Sequence, residues 1–131
     1  MQASESVQEQ RRAVRFASDE AILEAVGDRF SREIMASTMQ VAKPIEEISY
    51  ELKIPLSTCY RRVAKLTESG VLVVERTVVT ASGKKFATYR AAVKEVRIEV
   101  TPDRTEVRTE VNEDAAERLR IRWLSARYIP A

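Results

Sequence analysis

A short break at residues 53–55, between two amphipathic stretches, constrains the fold of this chain more than any other feature. The stretch before the break has one apolar helical face, formed by Ile45, Ile48 and Leu52. Because the residue before a proline is driven out of helical geometry, Ile54-Pro55 predicts a tight turn. A second helix is then predicted over about residues 55–69, and Gly70 is placed to end it in a left-handed conformation.

A β-hairpin is predicted directly after Gly70, because the period of the pattern changes there. Residues 71–80 and 85–91 are rich in β-branched and aromatic residues, which favour strands. The four residues Ala81-Ser82-Gly83-Lys84 between them are typical of a turn. The sequence therefore predicts a hairpin over residues 71–91.

A second hairpin and a last helix are predicted in the C-terminal third. In its first strand, apolar residues alternate with charged ones, at Val96, Ile98 and Val100. This alternation predicts one buried face. Pro102-Asp103-Arg104 forms the turn, and residues 105–111 form the returning strand. Asn112, followed by two acids, is placed to cap the terminal helix.

Two helices are predicted ahead of the break. Ser18, followed by Asp19 and Glu20, is a typical helix start, because a hydroxyl caps it and acids favour the positive end of its dipole. Asp28 is placed to cap the second helix. Residues 1–17 are polar and include three arginines, so we expect a flexible basic arm there.

The charge distribution is more informative than the net charge of +2. Residues 44–92 carry eight basic and five acidic side chains, a net of +3, whereas the flanking parts are balanced or slightly acidic. There is no histidine, the single cysteine is Cys59, and no phosphate-binding glycine pattern is present. We therefore expect neither an enzyme nor a cofactor or metal.

The second helix of the pair has the composition of a DNA-contacting helix. Its predicted buried stripe, within about 80° of arc on a helical wheel, consists of Leu56, Cys59, Val63 and Leu66. The opposite side and its edges carry hydroxyls and cations, namely Ser57, Thr58, Arg61, Arg62 and Lys65. Such cations neutralise phosphates, and arginine can also bind guanine. The tip of the first hairpin adds Lys84 and Lys85. The alternative is an ordinary solvated basic face.

These segments resemble ArsR-like winged-helix regulators, most closely the archaeal type. The similarity covers about residues 19–92, and the runs that carry it are Val26–Met35, Glu46–Val63 and Leu66–Leu72. The resemblance implies an α+β winged helix-turn-helix, here with an additional C-terminal β-hairpin and terminal helix, in a homodimeric transcription regulator. The chain departs from the metal-sensing branch because it has no histidine and no cysteine pair, so metal-thiolate sensing is not expected. The effector, if one exists, is left open.

The terminal helix is apolar on two sides, which is typical of a helix buried on both. We expect residues 18–92 to bind double-stranded DNA and residues 93–131 to mediate dimerisation. The side chains expected to meet the partner subunit are Ile121, Leu124 and Tyr128. The alternative is that these three cover the protein's own core.

Several functional classes compete. Transcription regulation by a DNA-binding homodimer leads, followed by a sequence-neutral chromatin protein or a winged-helix module for protein contacts. RNA binding is less favoured, because no exposed aromatic platform for stacked bases is expected. The sequence predicts a cytoplasmic, nucleoid-associated protein without membrane contact. Cys59 is expected to be a small buried hydrophobe, with a redox switch as the less favoured alternative.

Overall fold

The structure, a computed structural model, describes residues 17–115. Its helices are α1 (Asp19–Gly27), α2 (Arg29–Ser37), α3 (Ile45–Leu52) and α4 (Leu56–Glu68). Its strands are β1 (Leu72–Val79), β2 (Lys85–Ala91), β3 (Val93–Val100) and β4 (Thr105–Val111). The strands pair as two separate antiparallel hairpins, β1–β2 and β3–β4. The fold class is therefore α+β, and the arrangement is compatible with a winged helix.

The predicted arm before residue 17 lies outside the described residues. The predicted dimerisation residues lie beyond the other end of the described range. They are Ile121, Leu124 and Tyr128.

Local signals set the helix boundaries as predicted. The Ser18 hydroxyl caps α1 by accepting from the backbone N–H of Ala21 at 3.1 Å. The Asp28 carboxylate caps α2 by accepting from the backbone N–H of Ser31 at 2.9 Å and from its hydroxyl at 2.8 Å. Each cap satisfies helix N–H groups that have no partner inside the helix.

The turn between α3 and α4 contains a left-handed residue, Lys53, with φ 54° and ψ 42°. Ser49 closes the turn, because its hydroxyl donates to the carbonyl of Ile54 at 2.6 Å and its own carbonyl accepts from the N–H of Ile54 at 3.1 Å. At the other end of α4, Gly70 has φ 85°. The predicted left-handed exit is therefore confirmed, and a side chain there would be strained.

The core lies where α1, α2, α3 and α4 meet the bases of the hairpins. Its fully buried side chains include Ile22, Ile34, Ile48, Val63 and Val71. The predicted stripe of α4 is confirmed at Cys59, Val63 and Leu66, but the prediction for Leu56 is wrong, since it is 46% exposed. Leu56 is the first residue of the helix, and the three stripe residues further along already cover the core.

The first hairpin pairs Leu72 with Ala91 and Val79 with Lys85, with a register shift between Val74 and Arg76. Its base is held to the helices by a two-way backbone bridge between Lys43 and Tyr89, at 3.0 and 2.9 Å. This bridge fixes the hairpin beside α3, which begins just after Lys43.

Buried polar groups join the second hairpin to the rest of the fold. The Asn112 amide donates to the carbonyls of Met39 at 2.9 Å and Ala91 at 3.0 Å. The Arg90 guanidinium lies 3.1 Å from Glu75 and 3.3 Å from Asp114. The Asn112 bonds and the Arg90–Asp114 contact hold the end of β4 to the rest of the fold. The Arg90–Glu75 pair joins β2 to β1, and Arg90 Nε is buried without a hydrogen-bond partner among the described residues.

The predicted buried face of the second hairpin is only partly correct. Val93 and Val111 at its base are buried, and Val96 packs against the core. Towards the tip, Ile98 is 36% and Val100 is 74% exposed. The strand pattern continues past the point where the ribbon leaves the core, so alternation predicted the strand correctly but not its burial.

Candidate nucleic-acid interface

The N-terminal half of α4 presents a polar, cationic face. Ser57 and Arg61 are exposed and Thr58 is half-buried. The Arg61 guanidinium donates to the Thr58 hydroxyl at 3.5 Å, and no carboxylate in residues 17–115 pairs with it. The three predicted residues therefore lie together, with a cation that is free to meet an incoming anion.

The other two predicted cations of α4 already have partners. Arg62 Nε lies 3.1 Å from Asp28 Oδ2, and both side chains are 35% exposed. Lys65 pairs with Glu24, at 59% and 63% exposure. The pairing places both cations on the side of α4 that faces α1 and the start of α2, which we call the ionic flank.

A cleft of about 130 Å³ opens along the ionic flank. Its charged lining consists of Glu24, Asp28, Arg62 and Lys65. Hydrogen bonds from the backbone and hydroxyl of Ser31, together with the nearby cations, hold the pKa of the Asp28 carboxyl below its ordinary value. Arg62 Nε is buried and makes no aligned hydrogen bond among the described residues, so it is held to Asp28 by charge.

The opposite side of α4 is apolar and phenolic, and we call Leu56 and Tyr60 the apolar flank. Tyr60 is almost half exposed, and its hydroxyl donates to Glu46 of α3 at 3.4 Å. The negative charge of Glu46 is the main reason that the pKa of the Tyr60 phenol is raised. On α3 itself, Tyr50 is 87% exposed.

These exposed side chains bear on one expectation from the sequence. RNA binding is less favoured there because no exposed aromatic platform is expected, and Tyr50 and Tyr60 are two exposed aromatic side chains on separate helices. A signal for Tyr50 was present, because it lies opposite Ile48 on the wheel, among the acids of α3. Leu56 and Tyr60 had no such signal, since they adjoin the buried stripe.

The predicted hairpin-tip residues, Lys84 and Lys85, form a separate group. Both are exposed at the turn that joins β1 to β2. Thr80 organises this turn, because its hydroxyl accepts from the backbone N–H of Lys84 at 3.0 Å. Gly83 has φ 83°, which suits glycine.

Cys59 packs as predicted. It is fully buried, and its thiol approaches the carbonyl of Ile45 at 3.8 Å. Burial raises the pKa of the thiol, which keeps it protonated and unreactive. The redox alternative has no support in this geometry.

Residues 17–115 contain no cluster of three or more histidine, cysteine or acidic side chains arranged to hold a metal ion. In the same range, no helix has the length and apolar character needed to cross a bilayer. No family model matches the chain, and no curated protein or solved structure matches it at a significant level. Any function assigned to it has to come from its own residues and geometry.

Proposed function

We propose that this chain is a DNA-binding transcription regulator of the winged helix-turn-helix type. In this proposal α3 and α4 are the helix-turn-helix, α4 enters the major groove, and the β1–β2 hairpin is the wing that touches the flanking backbone. The same assignment is what the resemblance of residues 19–92 to ArsR-like regulators, noted from the sequence, implies.

The observation that carries the proposal is the free cationic face at the start of α4. Ser57, Thr58 and Arg61 lie on the part of a recognition helix that meets base edges or phosphates. An arginine without an intramolecular carboxylate can donate two hydrogen bonds to guanine or one to a phosphate. A tight turn before the helix and a hairpin after it are the context that such a face needs.

We propose that the regulator is a homodimer. A two-fold axis would set the two copies of α4 about 34 Å apart and favour a palindromic site. Sedimentation of the full chain measures this directly. A monomer at micromolar concentration would contradict the dimer without touching the DNA-binding proposal.

The primary test is binding of the full chain to labelled duplexes, a pool of genomic fragments against a random pool, across a salt series. A regulator enriches a limited set of sites, and its affinity for DNA falls steeply as the salt concentration rises. Equal binding to both pools would identify a sequence-neutral chromatin protein. No binding at low salt would leave a module for protein contacts.

Arg61→Ala is the matched test of the interface. If Arg61 contacts a base, the variant loses about 1–3 kcal/mol of specific binding and relaxes selection at one position. The control is Arg97→Ala on β3, which removes an exposed arginine that lies away from α4 and pairs with Glu95. An equal loss on all sequences would make Arg61 a phosphate contact.

Single-stranded nucleic acid is a second candidate ligand, favoured by the exposed phenols of Tyr50 and Tyr60. Aromatic side chains stack on bases without sequence preference and contribute about 1–3 kcal/mol per base. Competition between duplex and single strand distinguishes the two. Tyr50→Ala should then weaken the single-strand complex and leave the duplex complex unchanged.

A further inference from the structure

Lys65 and Arg62 are both paired with acids, but the two pairs differ in how firmly they are held. Asp28 is fixed by two hydrogen bonds from Ser31, and the atom that Arg62 turns towards it is buried. Lys65 and Glu24 are both more than half exposed, and neither makes another ion pair within 4.0 Å in residues 17–115, although Lys65 is close enough to help lower the pKa of Asp28. The first pair is therefore part of the scaffold, whereas the second is held only by its own charge.

Exposed ion pairs are weak, because water screens both charges. A DNA phosphate offers Lys65 a stronger partner, since binding it releases a condensed counterion. Lys65 lies one turn beyond Arg61 on α4, so a backbone that reaches Arg61 passes close to it. Glu24, fixed on α1, then stands beside the same phosphate and repels it.

We propose that Glu24 is an internal competitor of the DNA backbone for Lys65. On binding, Lys65 exchanges the Glu24 carboxylate for a phosphate oxygen, while Arg62 keeps its contact with Asp28. Glu24 thereby lowers the affinity of the protein for every sequence alike, and it sets affinity without contributing to site selection. This inference rests on the proposed DNA-binding function and adds the residue that tunes it.

The experiment measures the salt dependence of duplex binding for the wild type, Glu24→Gln and Lys65→Gln. Removing the competitor in Glu24→Gln should tighten binding by about 1.4- to 5-fold, the equivalent of one exposed ion pair. The gain should be the same on specific and random duplexes. The slope of the logarithm of the binding constant against the logarithm of the salt concentration should stay unchanged. Lys65→Gln should reduce the slope by about 0.9, the value for one lost phosphate contact.

Two further variants separate the exchange from a general charge effect. Glu20→Gln removes an exposed acid one turn earlier on α1 that has no ion partner in the described residues, so it should tighten binding less than Glu24→Gln. Lys65→Arg keeps the charge and should keep the slope. Matching thermal unfolding midpoints confirm that all variants are folded.

The outcomes are distinct. If Lys65→Gln leaves the slope unchanged, Lys65 stays on Glu24 in the complex and the exchange is overturned. If Glu20→Gln and Glu24→Gln tighten binding equally, general charge explains the effect and the competitor role is overturned. A wild-type protein that binds no duplex at low salt overturns the proposed function as well, which the wild-type curve alone reveals.

Discussion

The two sides of α4 contact the neighbouring helices through different kinds of side chain. The ionic flank joins Arg62 and Lys65 to acids of the first two helices, whereas the apolar flank leaves Leu56 and Tyr60 partly in solvent beside α3. Between them lies the free face around Arg61. The cations of this helix therefore differ in their surroundings: Arg62 and Lys65 are paired with acids, whereas Arg61 pairs with no carboxylate in residues 17–115.

The comparison teaches that a basic helix face cannot be equated with a binding face. Five hydroxyl and cationic residues of α4 were predicted to contact DNA, but the two C-terminal ones are partnered within the fold. What distinguishes Arg61 is the absence of a neighbouring carboxylate among the described residues. A cation that is already paired with a carboxylate contributes less to the binding of an incoming anion than an unpaired cation does.

The largest effect should come from Asp28→Ala, which removes both the cap of α2 and the partner of Arg62. Losing an N-cap costs about 0.5–2 kcal/mol of the free energy of unfolding. Asp28→Asn keeps a capping oxygen and removes only the charge, so it should cost less. Urea unfolding of both variants measures the difference. Equal losses would show that the contact with Arg62, rather than the cap, dominates at this corner.

The same carboxylate should make stability depend on pH. The pKa of Asp28 is lower in the folded protein than its ordinary value of 3.8. Its stabilisation is therefore fully present above that value and is lost as the pH falls through the lower, folded pKa. Unfolding free energies of wild type and Asp28→Asn should converge as the pH falls below 3.8. Parallel curves over that range would contradict the assignment.

Arg62→Ala should show whether Arg62 contributes mainly to the stability of the fold or to DNA binding. Its ion contact is partly exposed, so we expect a loss of about 0.2–1 kcal/mol in stability. Duplex affinity should fall less than in Arg61→Ala, because in the wild-type complex Arg62 stays paired with Asp28 and does not contact the DNA. Chemical unfolding and duplex titration of the same preparations give both values. A larger affinity loss in Arg62→Ala would reverse the roles assigned to the two arginines.

The sequence predicted those parts of the fold that depend on neighbours along the chain. The side chains of Ser18 and Asp28 cap α1 and α2 by accepting from backbone N–H groups three residues further along, and Gly70 ends α4 in the left-handed region. The strands of both hairpins fall close to their predicted limits. These signals are local, because each acts within one helical turn or one hairpin.

Long-range pairing was out of reach. Lys65 and Glu24 are 41 positions apart, so nothing in either segment announces that they meet. Val100 has the alternation of a buried strand but lies beyond the core, because periodicity gives the face and not what covers it. The candidate site was therefore predicted as a set of residues, whereas its division into free and partnered cations required the three-dimensional structure.

The smallest effect tests the apolar flank. The Glu46 charge, with burial and the hydrogen bond to Glu46 adding to it, raises the pKa of the Tyr60 phenol above its ordinary value of 10.0. Glu46→Gln removes that charge, so the pKa should fall towards the ordinary value while the unfolding free energy stays almost unchanged. Absorbance titration of the tyrosinates measures it, and Tyr60→Phe identifies which transition belongs to Tyr60. An unchanged titration would mean that Glu46 does not hold the phenol, which would leave the ring of Tyr60 free to stack on a base.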